Sequence, residues 1–389
     1  MNNLLKLLCP PGNGVFTVHT AQGKKNELHQ QYYGVMGDAV QDQWIKSCEK
    51  SLAINKPMVL GVASDCGGGI QRGANWGPLF IRNHLLQFHP RTMPRFADLG
   101  DIRVIPHLLH DKYLNEKTLS ECRAFLYGND GNDGNESQFA MLPVSPLSIC
   151  EMACDLVYEH SLSKKIIALG GDHSVSYPLV KSFIHHKKKQ QQKFALIHFD
   201  AHTDLLSQRM GIDHNFGTWA YHVLPLLNAP DDLIQIGIRS SGKDRTYWEK
   251  TFKHLQYWQK DLNTIGASIL AKQIVDHLQK KNIQEIYISF DIDALDEQYA
   301  SATGTPESSG MTPDQAITII KILNQHFILS GADIVEVAPQ VRSISENQSQ
   351  IHSNEPWITL ESASLIFEAL LEGMENSNPS SQHSQLPDS

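Results

Sequence analysis

Asp200, His202 and Asp204, in the segment I-H-F-D-A-H-T-D-L at Ile197–Leu205, set three potential metal ligands at a spacing of two. On an extended strand or a strand end, residues i, i+2 and i+4 project to one side, so two carboxylates and an imidazole would converge on one point. A helix would scatter them. Gathering these groups in an apolar segment is costly unless a cation neutralises them, so the spacing predicts a bound metal. Two further polar motifs follow apolar runs: Gly170-Gly171-Asp172-His173 after Lys165–Leu169, and Asp291-Ile292-Asp293 after Ile286–Phe290. Pooled, His173, Asp200, His202, Asp204, Asp291 and Asp293 offer four carboxylates and two neutral imidazoles, a formal charge of −4 that two divalent cations balance. Oxygen-rich ligands with some imidazole and no thiolate fit Mn2+ best, with Ni2+, Co2+ or Fe2+ as alternatives, and disfavour a structural zinc site. Two ions about 4 Å apart lower the pKa of a shared water, which predicts hydrolysis. Singly, His173 reads as a hydrogen-bonded structural residue, Asp172 as a helix N-cap, and Asp293 or Asp296 as a turn residue. Their coincidence in three strand-end motifs is what favours the metal pair.

These motifs need elements to position them. The apolar, β-prone Lys56–Ala63 leads into a Gly-rich stretch, Ser64–Pro78, and then a helix-like Leu79–Phe88. Its glycines are not spaced as a dinucleotide or phosphate-binding loop, so they predict a flexible loop near the site. From Pro146 onward the pattern repeats as helix, strand and polar motif: Ile149–His160 before Lys165–Leu169, Val180–His186 before Phe194–Phe199, Ile269–Gln279 before Ile286–Phe290, and Thr312–Asn324 before Ala332–Val337. Leu233–Ile238 is another strand. Strands alternating with helices predict a mostly parallel sheet covered on both faces, with ligands beyond the carboxyl ends of the strands. Residues 1–55 read as an N-terminal extension with a helix around Asp38–Leu52, a cap on the core or a subunit contact. Residues 56–375 form the catalytic domain and 376–389 a flexible tail. Gly128–Ser137 is a polar, low-complexity surface insertion.

The net charge of −9, from 42 acids against 33 bases, argues against nucleic acid as a partner. The basic run His185–Lys193 is interleaved with Gln and reads as a solvated surface turn. Six cysteines without a Cys-x-x-Cys pair predict a reduced, cytoplasmic setting, with Cys150 and Cys154 packed on one helix face. The Leu4–Leu8 patch is too short and wrongly flanked for a signal peptide, and no apolar stretch is long enough for a membrane span.

With these residues in hand, the chain resembles the ureohydrolase family of arginases, agmatinases and related amidinohydrolases. The matching segments are G-G-D-H-S at Gly170–Ser174, D-A-H-T-D at Asp200–Asp204, S-F-D-I-D-A-L-D at Ser289–Asp296, T-G-T-P at Thr303–Pro306 and D-I-V-E-V-A-P at Asp333–Pro339. The resemblance implies a three-layer α/β/α fold with a mostly parallel central sheet and a homo-oligomer, trimer or hexamer. It implies one metal held by His173, Asp200, Asp204 and Asp291, and a second held by His202, Asp200, Asp291 and Asp293. It further implies hydrolysis of a guanidinium substrate to urea and an amine. Glu336 would hold the planar cation, His214 would shuttle a proton to the leaving amine, and Thr305 would line the substrate site. A buried strand Glu with no obvious adjacent base is costly unless it meets such a cation in charge-assisted hydrogen bonds, and His suits proton transfer near neutral pH.

Departures from the family pattern bear on the substrate. Agmatinases commonly show D-H-G-T where this chain has Asp213-His214-Asn215-Phe216-Gly217-Thr218, two residues longer. Leu205, Leu206 and Ser207 follow the D-A-H-T-D motif where arginases carry an Asn that reads an amino acid carboxylate, which disfavours arginine. His214 weighs against a formimidoylglutamate hydrolase, although Thr305-Pro306-Glu307 is compatible with one. The stretch Gln340–Pro356 is extended. Longer segments at the mouth favour a small guanidinium compound, agmatine-like or guanidine itself, with Trp76, Phe216, Trp219 and Trp357 as candidate aromatic walls. Two other classes compete: a single-zinc amide deacetylase on a similar fold, and a non-catalytic scaffold, which would be expected to have lost ligands that are all present here.

Overall fold

The computed structural model describes residues 2–15, 20–128, 139, 141–341 and 356–376. Among the described residues, nine strands form one sheet in the order β1-β3-β2-β4-β9-β8-β5-β6-β7. They are β1 (Leu8–Cys9), β2 (Met58–Gly61), β3 (Ala97–Ile102), β4 (Ile166–Leu169), β5 (Phe194–Phe199), β6 (Leu233–Ile238), β7 (Leu255–Trp258), β8 (Glu285–Asp291) and β9 (Ile328–Val335). Among these nine strands, the edge pairing of β1 with β3 is antiparallel and the other pairings are parallel.

Central strands buried on both faces need no polar alternation, and successive residues instead divide between two apolar cores. Val59, Ile167, Ala195 and Ile197 join the helices Ala267–Lys280, Pro313–His326 and Trp357–Asn376. Met58, Leu60, Ala168 and Leu196 join the helices Pro146–His160 and Ser176–Lys189 on the other side. The result is the expected three-layer α/β/α architecture.

The expected elements appear with shifted ends, and others went unread. β3 (A-D-L-G-D-I) carries two aspartates inside a buried strand, which hides its apolar character. Asp98 and Asp101 are tolerated because the buried Arg82, on the helix Gly77–Phe88, reaches them at 2.8 and 2.5 Å. Asp101 also accepts from the N–H groups of Gly12 and Gly14, fastening the N-terminal segment to the sheet. That segment caps the core: β1 forms the sheet edge, and Trp44 and Cys48 of the helix Val40–Leu52 both donate to the Leu99 carbonyl.

The basic run departs from its expectation. His185–Lys189 forms the last turn of the helix Ser176–Lys189, where cations oppose the exposed carbonyls. Lys187 is buried against Glu285 at 2.6 Å, so part of the run is structural. Cys150 and Cys154 are buried as expected, and all six cysteines are unpaired. Among the described residues, no helix is long and apolar enough to cross a membrane. The polar insertion beyond Gly128, residues 342–355 of the stretch after the Glu336 motif, and the tail beyond Asn376 lie outside the described residues.

Candidate active site

Four neighbouring strands in the middle of the sheet, β4, β9, β8 and β5, end in the polar motifs, so their carboxyl ends deliver every ligand candidate to one place. His173 Nδ1 lies 3.0 Å from Asp291 Oδ2, 3.1 Å from Asp204 Oδ2 and 3.2 Å from Asp200 Oδ2. His202 Nδ1 lies 3.1 Å from Asp293 Oδ2 and 3.3 Å from Asp200 Oδ1. Metal bonds of about 2.0–2.1 Å at tetrahedral angles separate ligand atoms by about 3.3 Å, so both groups have the spacing of a coordination shell. Asp200 gives one oxygen to each. His173 Nδ1 is buried with no hydrogen-bond partner although three carboxylate oxygens surround it. The donor set therefore fits a pair of divalent cations.

The convergence does not come from the strand pleat that the spacing predicts. β5 stops at Phe199, and Asp200–Asp204 form a loop in which Asp204 adopts a left-handed φ of 49°. Glu336, just past β9, has φ 62°. Such conformations cost non-glycine residues about 1–3 kcal/mol, and here two fall on proposed functional side chains. Gly171 permits the close passage of β4's exit, since a Cβ there would fall 1.6 Å from the Ser64 carbonyl oxygen. Asp172 caps the turn by accepting from the Ser174 N–H and also accepts from Gly67, as its cap reading predicts.

Electrostatics follow from crowding carboxylates out of water. Burial, then the charges of Asp293 and Asp200, push Asp291 well above the usual carboxylate range. Burial, Asp291 and Asp172 do the same to Glu336. Burial also works on Asp200, but the facing imidazoles of His173, His198 and His202 outweigh it and hold Asp200 well below.

Several supporting residues escaped the sequence reading. His198 Nε2 lies 2.8 Å from Asp200 Oδ2, and its Nδ1 lies 2.9 Å from Gln235 Nε2. Extending the alternation of Asp200, His202 and Asp204 back by one step would have found it; inside F-A-L-I-H-F it passes for core. Gln235 Nε2 also donates to the Thr203 carbonyl, while Gln235 Oε1 pairs with His254 Nε2 and Gln256 Nε2. Gln256 Oε1 accepts from the Trp258 indole. Glu307 Oε1 faces His202 Nε2 at 3.4 Å, a contact of the kind that fixes the orientation of a metal-binding ring. Arg239 spreads its guanidinium over the carbonyls of Gly237, Asp293, Ala294, Leu295, Glu307 and Ser308, holding that loop in place.

The substrate candidates are placed as follows. Glu336 Oε1 accepts from the His173 N–H at 2.8 Å, so the carboxylate stands directly beside the ligand cluster. Thr305 donates to Asp293 Oδ2 at 2.9 Å. His214 belongs to a neighbouring ring cluster, stacked on Tyr177 at 4.4 Å and packed against His110 and His222. Burial, with Lys112 and His110 adding to it, pushes His214 down to about 3, so the ring is neutral where the sequence reading expects a near-neutral titration.

Trp219 is buried, packs on His173 and donates to Asp204 Oδ2 at 2.9 Å, supporting the cluster rather than walling a pocket. Trp357 packs on His84 and Phe88, and Trp76 on Phe80. Phe216 carries the Arg209 guanidinium 5.1 Å above its ring. Leu205 turns into the core, leaving Leu206 exposed.

Comparison with known proteins adds a decisive observation, because residues 55–353 match the model of the arginase family. The chain belongs to the arginase family. It is a metal-dependent hydrolase of the ureohydrolase class, acting on C–N bonds of linear amidines. A mitochondrial guanidino acid hydrolase of Homo sapiens is 29% identical over 320 residues, covering 76% of this chain and 74% of that one. An agmatinase of Blochmanniella floridana is 36% identical over 176 residues, 45% of this chain and 53% of that one, so this alignment spans about half of each. Among solved structures, formimidoylglutamase from Bacillus subtilis superposes with a TM-score of 0.62 at 21% identity, covering 84% of this chain and 88% of that one. At that identity the likeness speaks for the arginase fold alone.

Proposed function

We propose that this enzyme hydrolyses a small guanidino compound without an α-amino acid head group, agmatine-like or smaller, to urea and an amine. The observation that carries the reading is Glu336, a buried carboxylate at a strand end, held in a left-handed backbone beside the ligand cluster. A guanidinium would meet that carboxylate in charge-assisted hydrogen bonds and supply the positive charge its surroundings lack. Two divalent ions, Mn2+ first with Ni2+ or Co2+ as alternatives, would be held by His173, Asp200, Asp204 and Asp291, and by His202, Asp200, Asp291 and Asp293. Bound there, they supply an acidified water and neutralise the carboxylates. Thr305 orients Asp293 at the edge of the substrate site. His214, neutral in its ring cluster, takes up a proton transiently and hands it to the leaving amine. Residues 56–375 act as the catalytic domain, in a cytoplasmic homotrimer or homohexamer whose size light scattering would measure.

Within this class, a guanidino acid is favoured over agmatine by two arginines in the loops that meet near Glu336. Gly304 links the Gly-rich loop to Glu336: a Cβ on it would lie 3.0 Å from Gln71 O and 3.6 Å from Glu336 Oε2. Phe216 N–H donates to Gly67 O, joining the His214 loop to the same place. Arg72 lies in the first loop and Arg209 stands over Phe216 in the second, a basic setting for a substrate carboxylate.

Urea release from agmatine, 4-guanidinobutyrate, guanidine and arginine tests both statements. Turnover of arginine alone overturns the substrate class, and agmatine turned over faster than guanidinobutyrate overturns the acid preference. Release of urea and ammonia from guanidine would make the enzyme a guanidine hydrolase, and release of formamide from formimidoylglutamate would assign that subclass. One tightly held zinc per chain with amide hydrolysis would favour a deacetylase. Glu336→Gln should keep both metals and lower kcat/KM roughly a thousandfold, since a neutral amide loses the charge-assisted bonds; unchanged kcat/KM removes Glu336 from the substrate site.

A further inference from the structure

The helix Gly77–Phe88 and its exit meet the C-terminal helix Trp357–Asn376 at a second cluster of metal-ligating groups. His84 Nε2 and His89 Nε2 both face one oxygen, Glu361 Oε2, at 3.6 and 3.1 Å. These separations bracket the spacing of about 3.3 Å that tetrahedral ligands about 2.0–2.1 Å from a zinc ion would show, the same spacing found between His173 and its three carboxylates.

The other nitrogen of each ring is already engaged. His84 Nδ1 is 3.0 Å from Ser364 Oγ, and His89 Nδ1 is 3.3 Å from Glu368 Oε2. Glu368 is itself held by the Thr92 hydroxyl. Metal-binding histidines characteristically donate their second N–H to a carboxylate or another acceptor, which fixes the tautomer and aims the free nitrogen at the ion. Here both rings are arranged that way.

A plain ion pair accounts for less. A protonated His89 bridging Glu361 and Glu368 would satisfy His89, yet it leaves His84 Nε2 without a hydrogen-bond partner in a residue only 4% exposed. A buried nitrogen without a partner is costly. Phe88 and Trp357 pack at 4.7 and 5.6 Å from the His84 ring and shield one side, while Glu361 stays partly exposed on the other.

We propose that His84, His89 and Glu361 form a separate site for one divalent transition metal, Zn2+ above all, with solvent in the fourth position. The ion bridges two helices distant in sequence and fastens the C-terminal helix to the body of the domain. The site shares no residue with the catalytic centre.

The test uses the full chain with its catalytic metals in place, titrated with Zn2+ alone and then desalted for elemental analysis and thermal melting. Wild type should hold one more Zn2+ per chain than Glu361→Gln or His89→Gln, and should melt higher with Zn2+ than without. Both variants should keep wild-type urea release, or wild-type turnover of whatever substrate the panel identifies. Glu368→Gln and Ser364→Ala remove only the outer partners and should weaken Zn2+ binding about 10- to 100-fold. Should Glu361→Gln prove unstable, Glu368→Gln carries the test alone. Equal zinc content and equal affinity in wild type and these variants overturns the proposal, as does extra zinc that survives in all of them.

Discussion

Two buried clusters of carboxylates sit in this protein, and they solve the same electrostatic problem in opposite ways. At β3, Asp98 and Asp101 surround Arg82, which binds Asp98 through two nitrogens and Asp101 through a third. The N–H groups of Gly12, Gly14 and Gly100 take up further lone pairs. Gly61 leaves the room, since a Cβ there would fall 1.9 Å from Asp101 Oδ1. That cluster brings its own cation. At the strand ends, Asp200, Asp204, Asp291, Asp293 and Glu336 share three imidazoles, those of His173, His198 and His202, and the adjacent Arg239 spends its donors on backbone carbonyls. Among the described residues no lysine or arginine pairs with these carboxylates, which leaves the second cluster to metals and a cationic substrate. A buried acid group is thus a structural device when its counter-ion is encoded in the chain, and a binding site when it is not.

The largest expected effect breaks the second cluster. Asp200→Asn should lower turnover about ten-thousandfold, about 5 kcal/mol of transition-state stabilisation, and reduce metal content by elemental analysis. The metal-free variant should melt lower than metal-free wild type, because an amide accepts the hydrogen bonds from His198 and the His202 N–H less strongly than the carboxylate does. A variant that retains two metals and near-normal turnover would remove Asp200 from its bridging role. Breaking the first cluster should act on the fold instead: Arg82→Met strands two buried carboxylates at a cost of about 3–5 kcal/mol, read by denaturant unfolding, and added metal should not restore it. Next in size, His214→Asn should leave metal content intact while slowing turnover about a hundredfold; loss of metals would sink the proton-transfer role.

The smallest effect concerns buried groups kept neutral. Burial lowers His186 and His254 from an ordinary 6.5 to about 4. Their native pKa lies below the unfolded one, so their contribution is fully present above about pH 6.5 and is lost as the pH falls towards 4. The melting temperature should drop between pH 7 and pH 5, and His186→Phe, which preserves stacking on Tyr158, should flatten that slope. Identical slopes for variant and wild type would show that acid sensitivity lies elsewhere.

Most of the central sheet and all six ligand candidates were legible because each motif follows an apolar run and few groups other than metal ligands tolerate that pattern. Three things were hidden, each for a physical reason. β3 was masked by two aspartates whose counter-ion, Arg82, lies sixteen and nineteen residues earlier in the chain. The convergence of Asp200, His202 and Asp204 looked like a strand pleat, but the left-handed turn at Asp204 makes it, and no local pattern announces such a residue. His214 was read from its loop motif alone, whereas its neutrality comes from burial first, with Lys112 and His110, far away in sequence, adding to it.

The row of polar side chains running from Trp258 to Asp200 has a direction. An indole nitrogen can only donate, so the Gln256 atom facing Trp258 is its oxygen and the amide nitrogen must turn towards Gln235. Gln235 then presents its own oxygen to Gln256 and its nitrogen to the Thr203 carbonyl and His198 Nδ1. His198 Nδ1 is left to accept, which puts the ring's proton on Nε2, pointing at Asp200. Across β7, β6 and β5, a tryptophan on the edge strand thereby selects the tautomer of a histidine beside the catalytic centre. The row reads one way only, and reversing any member would set two donors or two acceptors face to face.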